Sequence, residues 1–353
     1  MYMAILFMSG FFVLVETIRV RRGVSWFLAL IPLFLLFSVI GFNRESRDFY
    51  AYEKSFYDYN IQSGFESGYS SLIDFVKYLG FDYTAIVFLT GILFLLVLLK
   101  FLKTNNHVNL VILFYSIYPL IFDINQTRNS IMYFIVILSL AYIIKGKFIR
   151  HYLMMILAFS MHVFAAVYIP FYYLCKGNRK SFLRRIIILT IILFIVSPTV
   201  MRLVAMIFPD KMSVYLMRGI DFGVIIYWLY SVIDIFTVWW VDKRISSRIE
   251  EKDRKKFEVL YRFVWFPLLT MPFISYFTEM YRMQRNAVLV KYIYCALAMK
   301  YMTIKEKLIT TSLLLLSAGV YTFVIFYYGD RVELFNFVEE NEVYYYLKRY
   351  LFY

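Results

Sequence analysis

The chain has 353 residues, 62% of them hydrophobic and 18% charged, and carries a net charge of +14. An ordinary globular domain is roughly 45–50% apolar and about 25% charged, so the composition excludes a soluble enzyme and fits a helical protein that crosses a membrane many times. The surplus Lys and Arg fall in clusters between apolar runs instead of on one face, which excludes a nucleic-acid surface and points to anionic lipid.

In chain order, apolar runs at 1–18 and 25–42 predict the first two spans. No small-residue cleavage site follows the first run, so it reads as a retained span, not a removed signal peptide. Residues 43–83 form one long external segment, NRESRDFYAYEKSFYDYNIQSGFESGYSSLIDFVKYLGFDY. Its carboxylates include Asp48, Glu53 and Glu66, set among many rings such as Tyr52. Leu72, Ile73, Val76 and Leu79 predict a short amphipathic helix at the membrane surface. Carboxylates bond sugar hydroxyls and aromatic faces stack on sugar rings, so this segment suits a glycan. Acidic external loops and interfacial aromatic residues also arise from topology alone.

Spans are predicted next at 84–101 and 108–122, and the polar turn Asp123-Ile124-Asn125-Gln126-Thr127 then leads to Arg128 at the head of a span over 129–144. A guanidinium there either grips a phosphate through two parallel hydrogen bonds or snorkels to lipid headgroups. The run Tyr152–Leu174 is long enough to cross once, but basic KGKFIRH precedes it and CKGNRK follows. Basic clusters prefer one side of the membrane, so two short helices meeting near Met161-His162 are predicted, a broken, re-entrant pair over 152–174 with His162 at its tip. That histidine either moves a proton or bonds a carbonyl freed by the break.

Later spans are predicted at 186–207, 224–241, 263–278, 286–302 and 308–328. Between them lie a solvated, helical cytoplasmic block over 242–262 and an external turn bearing Arg282 and Arg285, with Glu279 at helical spacing from Arg282; an external tail occupies 329–353. Glu16, Asp234 and Lys291 fall inside spans and read as internal pairs or span ends. The whole is an all-α bundle of about 10–12 spans forming a single transmembrane domain. Placing the six basic clusters in the cytoplasm puts most of the 38 Lys and Arg inside, most of the 24 acidic residues outside, and both termini outside.

No P-loop, GxGxxG, HExxH or nucleophile elbow is present. Cys175 and Cys295 fit neither a disulfide framework nor a metal site, and the three histidines are too scattered in sequence for zinc. No metal and no cofactor are expected. Any catalytic site lies within the membrane or on its outer face, because no segment is large enough for a soluble catalytic domain.

Gln126-Thr127-Arg128-Asn129, an apolar span, KGKFIRHYL and LAFSMHVFAAVYIPFYYL together resemble the central block of Wzy-type polysaccharide polymerases of the EpsG-like subgroup. Asp48 and Tyr52 before a Glu66-x-Gly68-Tyr69 turn, and Arg282 before a tyrosine-rich span, resemble that subgroup as well. One departure is visible: Thr127 separates Gln126 from Arg128, residues that are usually adjacent, so either can carry the family role. The resemblance implies a GT-C-like architecture in the bacterial inner membrane. It also implies joining of undecaprenyl-pyrophosphate-linked oligosaccharide repeat units at the outer face. Arg128, Gln126, Arg282 and Arg285 would then hold pyrophosphate, Tyr52 and Glu66 the glycan, and Asp48, Glu53 or His162 would serve the incoming hydroxyl. The partners implied are the lipid-linked substrate, membrane lipids, and a chain-length regulator and flippase of the same pathway. A flippase for lipid-linked oligosaccharide and an O-antigen ligase would share these features, although no internal repeat of the kind transporters show is evident.

Overall fold

The computed structural model describes all residues except 20–21, 45, 47, 59–63, 104, 106, 208–221, 277–279 and 330–353. The described residues form helices and connecting turns and contain no strand, as a membrane chain with this apolar content requires. In order these are α1 (Tyr2–Arg19), α2 (Arg22–Gly41), α3 (Phe49–Tyr57), α4 (Ser67–Tyr78), α5 (Thr84–Leu102), α6 (Val108–Ile117), α7 (Leu120–Asn125), α8 (Thr127–Ile144) and α9 (Phe148–Met161). After a 3₁₀ turn (Val163–Tyr168) come α10 (Phe171–Leu174), α11 (Arg179–Ile207), α12 (Phe222–Ile245), α13 (Glu251–Trp265), α14 (Met271–Ile274), α15 (Tyr281–Ala298) and α16 (Ile304–Gly329). They group into two compact units, Met1–Ile169 with Met302–Tyr353, and Pro170–Tyr301.

The first unit is built around α8, which packs on α9 and α5. An almost unbroken apolar sequence from Ile131 to Ile137 leaves α8 buried on nearly every face, the expected state of a helix without a polar stripe. Its end is chemically defined: Gly146 adopts φ 68°, Gly146 N–H donates to Ile143 carbonyl at 2.9 Å and Lys147 N–H to Tyr142 carbonyl at 2.8 Å. This αL glycine stop turns the basic KGKFIRH segment outward. Nearby, Glu16 is 1% exposed and accepts from Ser25 Oγ at 2.6 Å and Asn109 Nδ2 at 2.7 Å. It is an internal link from α1 to α2 and to the head of α6.

Helix α9 breaks where the basic brackets predict. His162 is extended, with φ −159° and ψ 130°, and the following 3₁₀ turn runs back along α9, so that Tyr152 Oη donates to Ile169 carbonyl at 3.1 Å. A chain that returns to its own second turn within 17 residues is folded back on itself, with His162 at the bend.

Among the described residues, six helices are both long and apolar enough to cross a membrane: Gly23–Gly41, Thr84–Leu102, Thr127–Ile144, Arg179–Leu203, Ile225–Ile245 and Glu251–Ile274. Two other predicted spans meet divided or more polar helices. The run 108–122 is divided because Tyr118 is extended and α6 stops at Ile117 before Pro119. The window 286–302 falls on α15, which begins at Tyr281 and includes Arg282, Arg285 and Lys291. The runs 1–18 and 308–328 fall on α1 and α16, apolar helices of 18 and 26 residues. The external tail falls, from residue 330, outside the described residues.

The second unit centres on α15, whose residues Met283–Ala298 are all buried and which packs against α12 and α13. Lys291 Nζ and Asp234 Oδ1 meet at 2.5 Å with side chains 0% and 6% exposed, so the two span-internal charges are each other's partner. The block 242–262 is helical but not uniformly solvated. Phe257 and Val259–Val264 are buried, and Arg262 Nη2 donates to Gly177 carbonyl at 3.0 Å and to Glu258 Oε2 at 3.1 Å. Arg179 adds bonds to Asp242 and to Glu258, the latter at 2.5 Å.

Breaking a buried ion pair leaves one charge uncompensated, while replacing both with apolar groups removes the burden. Asp234→Leu alone is therefore expected to cost about 3–5 kcal/mol of stability. Asp234→Leu with Lys291→Met should restore most of it, as read from thermal unfolding in detergent. Equal melting temperatures for single and double variants would contradict the pairing.

Candidate active site

The sequence places Arg128 at the second position of α8, and the fold brings the start of α4 to it. Glu66, the residue before α4, points its carboxylate inward: Arg128 Nη1 donates to Glu66 Oε2 at 2.9 Å. The other oxygen, Glu66 Oε1, accepts Val163 N–H at 2.9 Å. One carboxylate thus ties the arginine to the bend of the folded-back helix. Arg128 and Glu66 side chains are 20% and 22% exposed, so the pair sits at the edge of the protein interior. The guanidinium spends Nη1 on Glu66, while its Nε is buried with no hydrogen-bond partner among the described residues.

Aromatic rings wall the arginine. Its Cζ lies 4.7 Å from the Phe65 ring centre and 6.0 Å from that of Tyr69, within cation–π range. Tyr52, on α3, reaches the same rings at 6.3 Å from Phe65 and 6.4 Å from Tyr69, and stacks on Tyr83 at 6.2 Å. Burial holds the Tyr69 and Tyr83 phenols well above their usual values, so both are neutral wall residues.

His162 borders this cluster, its Nδ1 3.8 Å from Glu66 Oε1. Phe164 N–H donates to His162 Nδ1 at 3.2 Å, which engages the Nδ1 lone pair and leaves the ring proton on Nε2. The imidazole thus accepts from a backbone N–H at the break of the helix.

Arg128, Glu66, Tyr52 and His162 are therefore brought together. Gln126 ends α7 and precedes α8, its carbonyl accepting from Ser130 N–H at 2.9 Å. The expected polar turn before Arg128 shrinks to that residue. Residues 120–125 are helical, and Asp123 is buried, accepting from Tyr115 Oη at 2.9 Å. Asp48 is the residue before α3, its carbonyl accepting Tyr52 N–H at 3.0 Å. Glu53 is partly exposed on α3 and belongs to no ion pair among the described residues. The apolar stripe of α4 is Tyr69, Ile73 and Val76. Leu79, placed in that stripe by its sequence, lies beyond the helix end and is 49% exposed.

Arg282 and Arg285 belong to the second unit and are helical, in the first and second turns of α15, where the sequence predicts a turn between spans. The start of α15 is an Arg- and Gln-containing stretch with good helix propensity, which extends the helix upstream of its apolar part. Arg285 is 1% exposed, and its guanidinium carbon lies 5.8 Å from the Tyr281 ring centre. Glu279, weighed as a partner of Arg282, lies outside the described residues.

Sequence reasoning missed Phe65, Val163 N–H and the reason for Gly68. A Cβ on Gly68 would come 2.2 Å from Ser160 Oγ and 2.8 Å from Ser160 carbonyl, so α4 meets α9 backbone to backbone there. For Gly68 alone a signal was available, the spacing Gly68-Tyr69 of a contact without a side chain beside a buried ring.

A model of the EpsG family matches residues 26–339, most of the chain. The chain belongs to the EpsG family. No curated protein and no solved structure matches it. EpsG membership, with the helical membrane fold, indicates a membrane protein of polysaccharide synthesis, of glycosyltransferase or polymerase type. The Glu66–Arg128–His162 cluster lies within the matched residues of this EpsG chain.

Proposed function

We propose that this EpsG-family protein is a polymerase that joins oligosaccharide repeat units carried on undecaprenyl pyrophosphate at the outer face of the bacterial inner membrane, with both termini outside. The observation that carries this reading is Arg128, a guanidinium held at a helix bend, walled by rings, with a buried Nε–H still unpaired. A pyrophosphate leaving group takes such a donor well, because charge-assisted hydrogen bonds strengthen as negative charge develops.

In the transfer, the bond between the donor sugar's anomeric carbon and a pyrophosphate oxygen breaks. The acceptor sugar's hydroxyl oxygen bonds to that carbon and gives up its proton. The electron pair leaves with the pyrophosphate, next to Arg128. His162, with its proton on Nε2, is suited to donate to a phosphate or sugar oxygen. Asp48 and Glu53 remain the carboxylates proposed for the acceptor's proton, and alignment of the two substrates supplies much of the rate. Tyr52 and Phe65 offer faces for sugar rings, Glu66 positions Arg128, and Gln126, Arg282 and Arg285 are proposed to add to phosphate or glycan binding. A flippase and a chain-length regulator are the proposed partners.

Deletion of the gene tests the reading on a polysaccharide gel. A ladder that collapses to a single repeat unit is expected. Accumulation of lipid-linked unit inside the cell with total loss of surface product would instead mean a flippase. Retained polymer that is no longer attached would mean a ligase.

A further inference from the structure

The first turn of α8 holds a second polar side chain whose condition differs from its neighbours. Asn125 Nδ2 donates to Ile121 carbonyl at 2.6 Å, Arg128 bonds Glu66 at 2.9 Å, and Ser130 Oγ donates to Asp123 carbonyl at 2.8 Å. Asn129 sits between these, is 1% exposed, and has no partner among the described residues for either its amide nitrogen or its amide oxygen. A leucine there would bury the same surface without stranding an amide. The cost of this arrangement therefore argues for a use. Successive residues of a helix point about 100° apart, so one turn directs Arg128 to the protein edge and Asn129 to the interior. Both have polar groups left over, the Arg128 Nε–H and the whole Asn129 amide. The second unit repeats the pattern, with Gln284 4% exposed, unpaired at both amide atoms, and adjacent to Arg285.

We propose that Asn129 recognises the sugar of the donor, its amide exchanging hydrogen bonds with hydroxyl groups close to the pyrophosphate that Arg128 holds; this rests on the phosphate-binding reading of Arg128. The chemistry is matched, since an amide offers donors and an acceptor together and each sugar hydroxyl is both. A site built to bond a hydroxyl discriminates strongly against a ligand that lacks it, because its own polar groups are then left unpaired.

The test measures binding of the full chain in lipid nanodiscs to two probes. One is lipid-linked repeat unit extracted from the deletion strain, and the other is undecaprenyl pyrophosphate without sugar. The wild type is expected to favour the first. Asn129→Leu should lose about tenfold on the repeat unit, lose nothing on the bare lipid, and melt no lower than wild type. Asn129→Ala, which adds no bulk, should show the same selective loss. Arg128→Ala should weaken both probes. Equal affinity of the Asn129 variants and wild type for the repeat unit would mean that the amide serves only an internal water and overturns the proposal, as would a loss equal on both probes. Failure of the wild type to bind either probe would overturn the Arg128 reading and this one with it.

Discussion

Arg128→Ala is expected to abolish long polymer, leaving single-repeat product and a protein that still inserts and folds. The two effects separate because the Arg128–Glu66 pair, with side chains 20% and 22% exposed, contributes at most about 1 kcal/mol to stability. Its catalytic share is larger. Removing one donor that faces developing charge costs about 10²–10³ in rate. Arg128→Lys keeps the charge but replaces a planar fork by a point charge. It should fall between wild type and alanine, retaining short ladders. Chain-length distributions on a gel, beside protein levels in isolated membranes, provide the readout. A normal ladder from Arg128→Ala would remove arginine from the chemistry and with it the functional assignment.

The same arginine shows which parts of the molecule can be read along the chain. Spans such as Thr84–Leu102 are legible because a bilayer demands a continuous apolar length. The bend at His162 is legible for a related reason, since basic brackets at both ends of one apolar run disfavour a simple crossing. The ties between elements are not legible. Glu66 lies 62 residues from Arg128 in a segment full of carboxylates, and its spacing alone gives no hint that it reaches Arg128 and Val163. Arg262 illustrates the converse error: it stands in a strongly charged stretch, yet α13 turns it inward onto Gly177 and Glu258. Charge density along the chain reports topology, but the face of a helix that carries each charge is decided by packing.

Gly68 is where packing and the proposed chemistry meet, and Gly68→Ala is expected to act on both. The new methyl would stand 2.2 Å from Ser160 Oγ, 2.6 Å from Ser160 Cβ and 2.8 Å from its carbonyl oxygen. The side-chain atoms can be removed by mutation, but the carbonyl belongs to the α9 backbone and cannot turn away. α4 must therefore move off α9, and overpacking of this kind costs about 1–3 kcal/mol. Glu66 lies two residues before Gly68, so the shift pulls its carboxylate from Arg128 and from Val163 N–H together. A displacement near 1 Å in a positioning group can lower a rate by about 10², and polymer should fall by that order while membrane levels of the protein fall much less. Ser160→Gly in the same chain removes the two closest contacts and leaves the carbonyl. It is expected to restore part of the polymer, and Ser160→Gly alone should be nearly silent. Full activity in Gly68→Ala would mean that α4 does not lean on α9 at this point. An inactive Gly68→Ala that Ser160→Gly does nothing to relieve would trace the defect to something other than this contact.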